Sequence, residues 1–441
     1  MSLQPVLPDA DFSTAIESLG ECTIASPVKY KRFISDEERV LYDLDHERIR
    51  ARMQSEGRAL AFERAGPRER IYFDPANVKA GIVTCGGLCP GLNDVIRSIV
   101  HELTYGYGVR HIKGIRYGYA GLNPAVGLPL IDLTPDMVRS IHEDGGTFLG
   151  SSRGPQPVEV MADTLYREEI RILFTIGGDG TLKGAKALYD ELARRDLKIA
   201  VVGVPKTIDN DICFVSRTFG FDTAVSTAVE SLRCAHVEAV GAPNGIGIVK
   251  LMGRQSGFVA AHAAIAEGDA NFVLVPEVPF ELEGPDGLLA ALEARMDRRG
   301  HALLVVAEGA GQDLFSDDLG VDASGNRKLG DIGALLKGRI QDYFRSRDKD
   351  CAVKYIDPSY IIRSVPANPN DCIFCNFLGQ KAVHAGMAGK TGMLIGSWNN
   401  LFVHVPLDLA TGGRKHIQTD GTLWLSVLES TGQPERMVSG S

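Results

Sequence analysis

IRILFTIGGDGTLKGAKALYDEL, residues 170–192, reads as strand, glycine turn and helix in succession. The apolar run IRILFTI is too short for a buried helix and suits a strand covered on both faces. Leu182, Ala185 and Leu188 then recur at helical spacing on one face. The same order repeats upstream, where KAGIVTC (79–85) precedes GGLCPGLN (86–93). The helical positions Val95, Ile96, Ile99, Val100 and Leu103 follow it. Further buried strands are predicted at KIAVVGV (198–204), GIGIVKL (245–251), ANFVLVPE (270–277) and HALLVVAEG (301–309). Helical patterns lie between them, as in AVSTAVESLRCAHVEAV (224–240). Apolar strands alternating with helices predict an α/β fold with a mainly parallel, doubly wound sheet. Ligands of such sheets gather at the C-terminal ends of the strands, where both glycine loops fall.

The chain has 441 residues, 44% apolar and 23% charged, enough for two or three domains with sizeable cores. Its 47 Lys and Arg against 56 Asp and Glu give a formal charge of −9. An acidic balance offers no general attraction to nucleic acid or anionic membranes, so no partner of either kind is expected. The N-terminal stretch lacks the pattern of a secretory signal or transit peptide, and no run of about 18 apolar residues occurs. A cytoplasmic location with reduced thiols is expected for the eight cysteines. Cys372 and Cys375 form a lone CxxC without the second pair or spaced histidines that zinc requires. Residues 1–75 read as a polar extension containing some helix, and 313–331 as a surface loop.

Three segments carry the chemistry. GGLCPGLN is by itself either an anion-binding loop at a helix N-terminus or a tight turn without a ligand. It is no Walker A loop, since no Lys-Ser or Lys-Thr follows the second glycine. HAGMAGKT (384–391) has Gly-Lys-Thr but lacks the earlier glycine, and is set aside. In GGDGT (177–181) three glycines open the backbone around Asp179, which suits magnesium, and Thr181 is placed to cap the following helix. In PKTIDND (205–211) an extended backbone would point Thr207, Asp209 and Asp211 to one side. A hydroxyl there can bond a phosphate oxygen, one carboxylate can take a proton from an alcohol, and a second acid can orient the site. Arg153 after GGTFLGSS and Arg254 ending KLMGR could supply positive charge for phosphoryl oxygens. Together these imply a site that holds a polyphosphate with magnesium and moves one phosphoryl group to a small molecule.

GGLCPGLNDVIR, GGTFLGSSRG, TIGGDGT, PKTIDND, KLMGR and YIDPSYIIR, in this order between about Lys79 and Gly396, resemble the 6-phosphofructokinase family. Within it the chain is similar to the long subgroup of plants and trypanosomatids. The resemblance implies two Rossmann-like doubly wound domains. The larger, nucleotide-binding one would span 76–220 plus about 362–412, and the smaller, sugar-phosphate-binding one 221–361. Residues 413–441 would form a C-terminal segment. It implies an ATP-dependent enzyme that phosphorylates the 1-hydroxyl of fructose 6-phosphate with Mg²⁺. Asp209 would be the general base, with Thr207, Asp211 and Arg254 also catalytic, and Asp179 the metal-linked carboxylate. Gly87, Arg153, Gly154, Gly178, Asp179, Gly180 and Thr181 match nucleotide contacts. Thr207, Ile208, Asp209, Met252, Gly253, Arg254, Glu308, Lys354, Tyr360, Ile361, Ile362 and Arg363 match contacts to the sugar phosphate. Lys354 would reach a neighbouring subunit's substrate, which implies a homodimer or homotetramer with shared sites. Short bacterial members carry an arginine where Gly245 stands and a histidine where Tyr360 stands, so their subunit contacts and effector site do not transfer.

Donor choice rests on Gly180 and Lys206. Pyrophosphate-using relatives place an aspartate at the position of Gly180, where it would crowd and repel a nucleotide α-phosphate. They also carry a lysine at the position of Lys206. Exclusion by clash is the stronger constraint, so ATP is expected. The rival readings are a pyrophosphate-dependent enzyme and a catalytically silent, sugar-phosphate-binding regulatory subunit. NAD and lipid kinases share GGDGT but not PKTIDND or the MGR segment.

Overall fold

Nine strands form the larger of two main sheets in this computed structural model, which describes residues 12–315, 320–321 and 327–438. In chain order its strands are β1 (Arg39–Leu41), β2 (Ala61–Arg64), β3 (Lys79–Thr84), β4 (His111–Ile115), β5 (Ile131–Asp132), β6 (Ile172–Gly177) and β7 (Ala200–Pro205). The smaller sheet comprises β8 (Gly245–Leu251), β9 (Phe272–Leu274), β10 (His301–Ala307) and β11 (Ala352–Ile356). The chain then returns to the larger sheet with β12 (Met393–Trp398) and β13 (Leu401–Pro406). Spatial order is β1-β2-β13-β12-β7-β6-β3-β4-β5 in the large sheet and β9-β10-β8-β11 in the small one. The strands from β12 through β4 pair in parallel, with antiparallel strands at both edges. The small sheet is parallel throughout. The expected doubly wound α/β architecture is therefore present, in two sheets.

Alternation along the strands explains the covering on both faces. Ala80, Ile82, Phe174 and Val202 pack in one core with Ile96 and Leu378. Val83, Leu173 and Val201 pack on the opposite face with Leu165, Leu182 and Leu188. The first core continues through Ala228 and Leu232 of the helix Phe221–Val240 to Val249 and Val305 of the small sheet. Ile246, Ile248, Leu304 and Val306 face the small domain's outer core with Leu292 and Ile340.

The polar N-terminal stretch is woven into this frame. It contains the expected helix, His46–Glu56, and contributes β1 and β2 to the large sheet. Glu17–Ser18 also pairs with Lys390–Thr391. Lys390 belongs to the Gly-Lys-Thr of HAGMAGKT, and its work is structural. It is buried, 3.3 Å from Glu63, whose Oε1 also meets Arg68 at 2.8 Å and His404 at 2.9 Å. Burial alone would raise Glu63, yet His404, Lys390 and Arg68 outweigh it and hold the carboxyl at about 2. Residues 1–11, 316–319, 322–326 and 439–441 of the expected extension, surface loop and C-terminal segment lie outside the described residues.

Candidate active site

Register places the loops of the large sheet side by side. Thr84 of β3 stands opposite Ile176 of β6, and Pro205 of β7 opposite Gly177. The loops after these three strands are GGLCPGLN, the GGDGT turn and the 206–211 segment. Backbone bonds join them, from Cys85 N–H to the Ile176 carbonyl (3.0 Å) and from Lys206 N–H to the Gly177 carbonyl (3.0 Å). In the small sheet Leu251 of β8 pairs with Ala307 of β10, and Val249 with Ile356 of β11. The strand ends thus bring Met252–Arg254, Glu308 and the short helix Ser359–Ser364 to one edge.

The first glycine loop turns through Gly86 at φ +87°, a backbone state that L side chains rarely adopt. Its N–H donates to the Ser152 carbonyl (3.0 Å). A Cβ on Gly87 would lie 3.2 Å from Arg153 Nη2, so Arg153 adjoins the loop, as the sequence implies. Lys206 is buried beneath it and donates to the Gly87 carbonyl at 2.6 Å. Burial lowers its pKa, with Cys89 and Cys85 opposing. The helix Asp179–Arg194 begins at the GGDGT turn, so its free amides and the positive end of its dipole face the loop cluster. Thr181 does not cap this helix. The cap position is Gly178, and Thr181 lies inside the first turn. Gly180 is exposed, and a Cβ there meets nothing within 4 Å among the described residues.

The 207–211 segment converges by a route other than extended alternation. It leaves β7 at Pro205 and turns, with Asn210 in the left-handed region at φ +53°. Within the turn Asp209 N–H donates to Thr207 Oγ1 (3.1 Å), and that hydroxyl donates to Asp211 Oδ1 (3.1 Å). Asn210 Oδ1 accepts from Thr218 N–H (3.1 Å) and Lys415 Nζ (3.1 Å), which fixes the left-handed residue. Ser256, just past the MGR segment, donates to the Asp209 carbonyl at 3.2 Å and ties the turn to the small domain.

Asp209 Oδ1 is buried and finds no hydrogen-bond partner among the described residues. Burial raises this carboxyl well above the usual range. The charges of Asp211 and Glu308 add to the rise, and Arg414 and Lys206 only partly offset it. Glu308 is itself raised by burial, with Arg254, Lys250 and Arg363 pulling it down. Asp209, Glu308, Arg254 and Arg363 therefore lie within one electrostatic neighbourhood across the two sheets. Arg254 Nη2 donates to the Arg327 carbonyl (2.6 Å). Gly253 adopts φ +121°, where a Cβ would strike the Ser256 carbonyl at 2.4 Å. Arg363 stacks on the Tyr360 ring at 4.5 Å, and Tyr360 and Ile361 are exposed.

The other residues expected to contact the sugar phosphate stand differently. The side chains of Ile208, Met252 and Ile362 are buried in the main core, so only their backbone is available to a ligand. Lys354 stands apart from the cluster, exposed on edge strand β11 and 3.8 Å from Glu238. Two cations went unread in the sequence. Arg414 bridges Asp179 Oδ2 (2.9 Å) and Asp211 Oδ2 (2.8 Å), and Lys415 anchors the turn. Asp179 Oδ2 also accepts from Lys183 at 3.0 Å. Asp179 and Asp211 offer hard carboxylate oxygens beside an open helix N-terminus. This donor set fits a magnesium ion that takes its remaining ligands from phosphates and water.

The sequence model of the family described as Phosphofructokinase matches residues 79–386. The chain is 48% identical over 437 residues to the ATP-dependent 6-phosphofructokinase of Borreliella burgdorferi, covering 96% of this chain and 97% of that one. It is 48% identical over 375 residues to the ATP-dependent 6-phosphofructokinase of Trypanosoma cruzi, covering 84% and 77%. In fold it is similar to the crystal structure of the pyrophosphate-dependent phosphofructokinase from Nitrosospira multiformis. The TM-score is 0.66 at 17% identity, over 81% of this chain and 92% of that one. With the motifs in order, the loops gathered at the strand ends and these matches, the chain belongs to the phosphofructokinase family.

Proposed function

We infer that the chain is an ATP-dependent 6-phosphofructokinase, transferring the γ-phosphoryl group of ATP to the 1-hydroxyl of fructose 6-phosphate. The observation that carries the reading is Asp209, a carboxylate whose buried Oδ1 has no hydrogen-bond partner among the described residues, where the glycine loops meet the arginine-bearing edge of the small sheet. The sugar oxygen forms its bond to the γ-phosphorus as its O–H bond breaks, and the proton passes to Asp209. The bond from the γ-phosphorus to the bridging oxygen breaks, and that electron pair leaves on ADP. A carboxylate whose pKa is raised is a stronger acceptor once ionised, which suits a weakly acidic alcohol.

The larger domain (76–220 with about 362–412) would bind the donor, and 221–361 the sugar phosphate. Gly87, Arg153, Gly154 and the Gly178–Thr181 turn are assigned to the nucleotide. Thr207, Gly253, Glu308, Tyr360 and Arg363 are assigned to the sugar phosphate, with backbone contacts from Ile208, Met252, Ile361 and Ile362. Bound Mg²⁺, held through Asp179, would neutralise charge on the donor's phosphate oxygens. Lys354, exposed at a sheet edge, is assigned to a neighbouring subunit's substrate in a homodimer or homotetramer. Among the described residues no helix is long and apolar enough to cross a membrane, and we assign the enzyme to the cytoplasm.

Arg254 tests the sugar side. Its guanidinium would stabilise charge that grows on the transferring oxygens, so Arg254→Ala is expected to lower kcat by ~10²–10³-fold. Steady-state rates on the purified variant check this. A kcat within a few-fold of the unaltered enzyme would remove Arg254 from the mechanism.

A further inference from the structure

The assigned reaction leaves the segment 412–417 without a role, yet it crosses the whole site. It leaves the large domain after the helix Leu407–Thr411, and Arg414 forms an antiparallel bridge with Ile212. Lys415 N–H donates to the Asp211 carbonyl at 2.9 Å. Its buried ammonium meets Asn210 Oδ1 (3.1 Å) and the carbonyls of Val215 (2.9 Å) and Ser216 (3.2 Å). Beyond it, His416 Nδ1 contacts the Gln255 carbonyl (2.7 Å) and Ile417 N–H donates to Glu277 Oε1 (2.9 Å). Glu277 Oε1 also accepts from Gly257 N–H (3.0 Å), so the far end of the strap is fixed to the small domain.

Between these anchors the Arg414 guanidinium spans two carboxylates from two strand ends, Nη2 on Asp179 and Nη1 on Asp211. Side-chain exposure is 23% for Arg414, 15% for Asp179 and 7% for Asp211. Exposed pairs of this kind contribute little, but this one is largely screened from solvent and its backbone is pinned on both sides. A planar fork presents separate N–H groups to the two carboxylates in a fixed geometry, which a lysine's compact, rotating ammonium holds less rigidly.

We propose that Arg414 is a positioning residue for the donor's divalent cation. It holds Asp179 and Asp211 in place and competes with a bare cation for their oxygens, so that metal enters with the nucleotide. A dication approaching alone meets two carboxylates, each with one oxygen already held by the guanidinium and their joint charge half offset by it. A dication arriving on a polyphosphate brings anionic oxygens that give the guanidinium new partners. This rests on reading the site as a magnesium-assisted phosphoryl-transfer centre.

The test is a titration of the full chain with Mn²⁺ alone, without nucleotide or sugar, reading free Mn²⁺ by electron paramagnetic resonance. Arg414→Met keeps an unbranched apolar stem but removes the guanidinium, so that among the described ion pairs Asp179 retains only Lys183 and Asp211 retains none. One Mn²⁺ per chain is then expected to bind ~10-fold more tightly than in the unaltered protein. The gain should vanish when Asp179→Asn is added, and Arg414→Lys should show a smaller gain in the same direction. If Arg414→Met titrates like the unaltered protein, or its gain survives Asp179→Asn, the proposal is wrong. Circular dichroism checks folding, and should Arg414→Met not fold, absence of any gain in Arg414→Lys overturns the proposal equally. The titration needs no turnover. A chain inert towards ATP and fructose 6-phosphate would refute the assigned reaction without altering the Mn²⁺ result.

Discussion

Asp209→Asn is expected to lower kcat by ~10²–10⁴-fold, the span that a positioned general base contributes. The KM for fructose 6-phosphate should stay within a few-fold, because the amide keeps the shape and only the proton acceptor is lost. The same substitution should stabilise the protein. Asp209 carries a buried oxygen without a partner among the described residues, beside the negative charges of Asp211 and Glu308. Its folded pKa lies above the unfolded value, so the ionised form costs stability. That cost is absent below the unfolded pKa, grows as pH rises towards the folded one, and is constant above it. The Tm of Asp209→Asn should therefore exceed that of the unaltered enzyme at neutral to alkaline pH, and the gap should close on acidification. Thermal unfolding across pH, with steady-state kinetics, separates the outcomes. Near-normal turnover would exclude Asp209 as the base. Lost turnover with an unchanged Tm would contradict the strained carboxylate.

Gly180→Asp carries the second large effect, and the fold should tolerate it. A Cβ at this position meets nothing within 4 Å among the described residues. The residue lies in the first turn of the helix Asp179–Arg194, where an added carboxylate favours the dipole. The Tm should hold or rise. Nucleotide use should not hold. An aspartate here points a negative charge towards the path assigned to the α-phosphate. Juxtaposed like charges cost several kcal/mol, so kcat/KM for ATP should fall by ~10²-fold or more. Pyrophosphate has no α-phosphate and no nucleoside to exclude, so the ratio of the two donors should move in its favour. Kinetics with each donor check this. An unchanged kcat/KM for ATP would show that Gly180 does not set donor choice.

The sequence made the parallel core legible where strands are continuous and apolar, as at 172–177, 200–205, 245–251 and 301–307. β4 and β11 escaped because HIKGI and AVKYI are short and interrupted by a basic residue. β1 and β2 sit in a charged stretch that looks solvent-facing. Burial there depends on pairing Glu63 with nearby Arg68 and also with Lys390 and His404, two partners that sequence proximity does not supply. The site divides in the same way. GGDGT and PKTIDND are local signals, since each glycine or carboxylate lies within one turn of its neighbours. Arg414 and Lys415 lie in GGRKHIQT, which reads as a solvated basic loop. Arg414's two partners are 203 and 235 residues earlier in the chain. The convergence of Thr207 and Asp211 was foreseeable from their types, but its cause was not. It arises from a turn at Asn210 that a distant Lys415 holds.

Initial rates of fructose 1,6-bisphosphate formation by the purified, unaltered chain, with Mg²⁺ and either ATP or pyrophosphate in separate reactions, test the assigned activity most directly. Turnover with ATP, one ADP released per bisphosphate formed, and no transfer from pyrophosphate above background are expected. Faster transfer from pyrophosphate, or none from either donor, would contradict it.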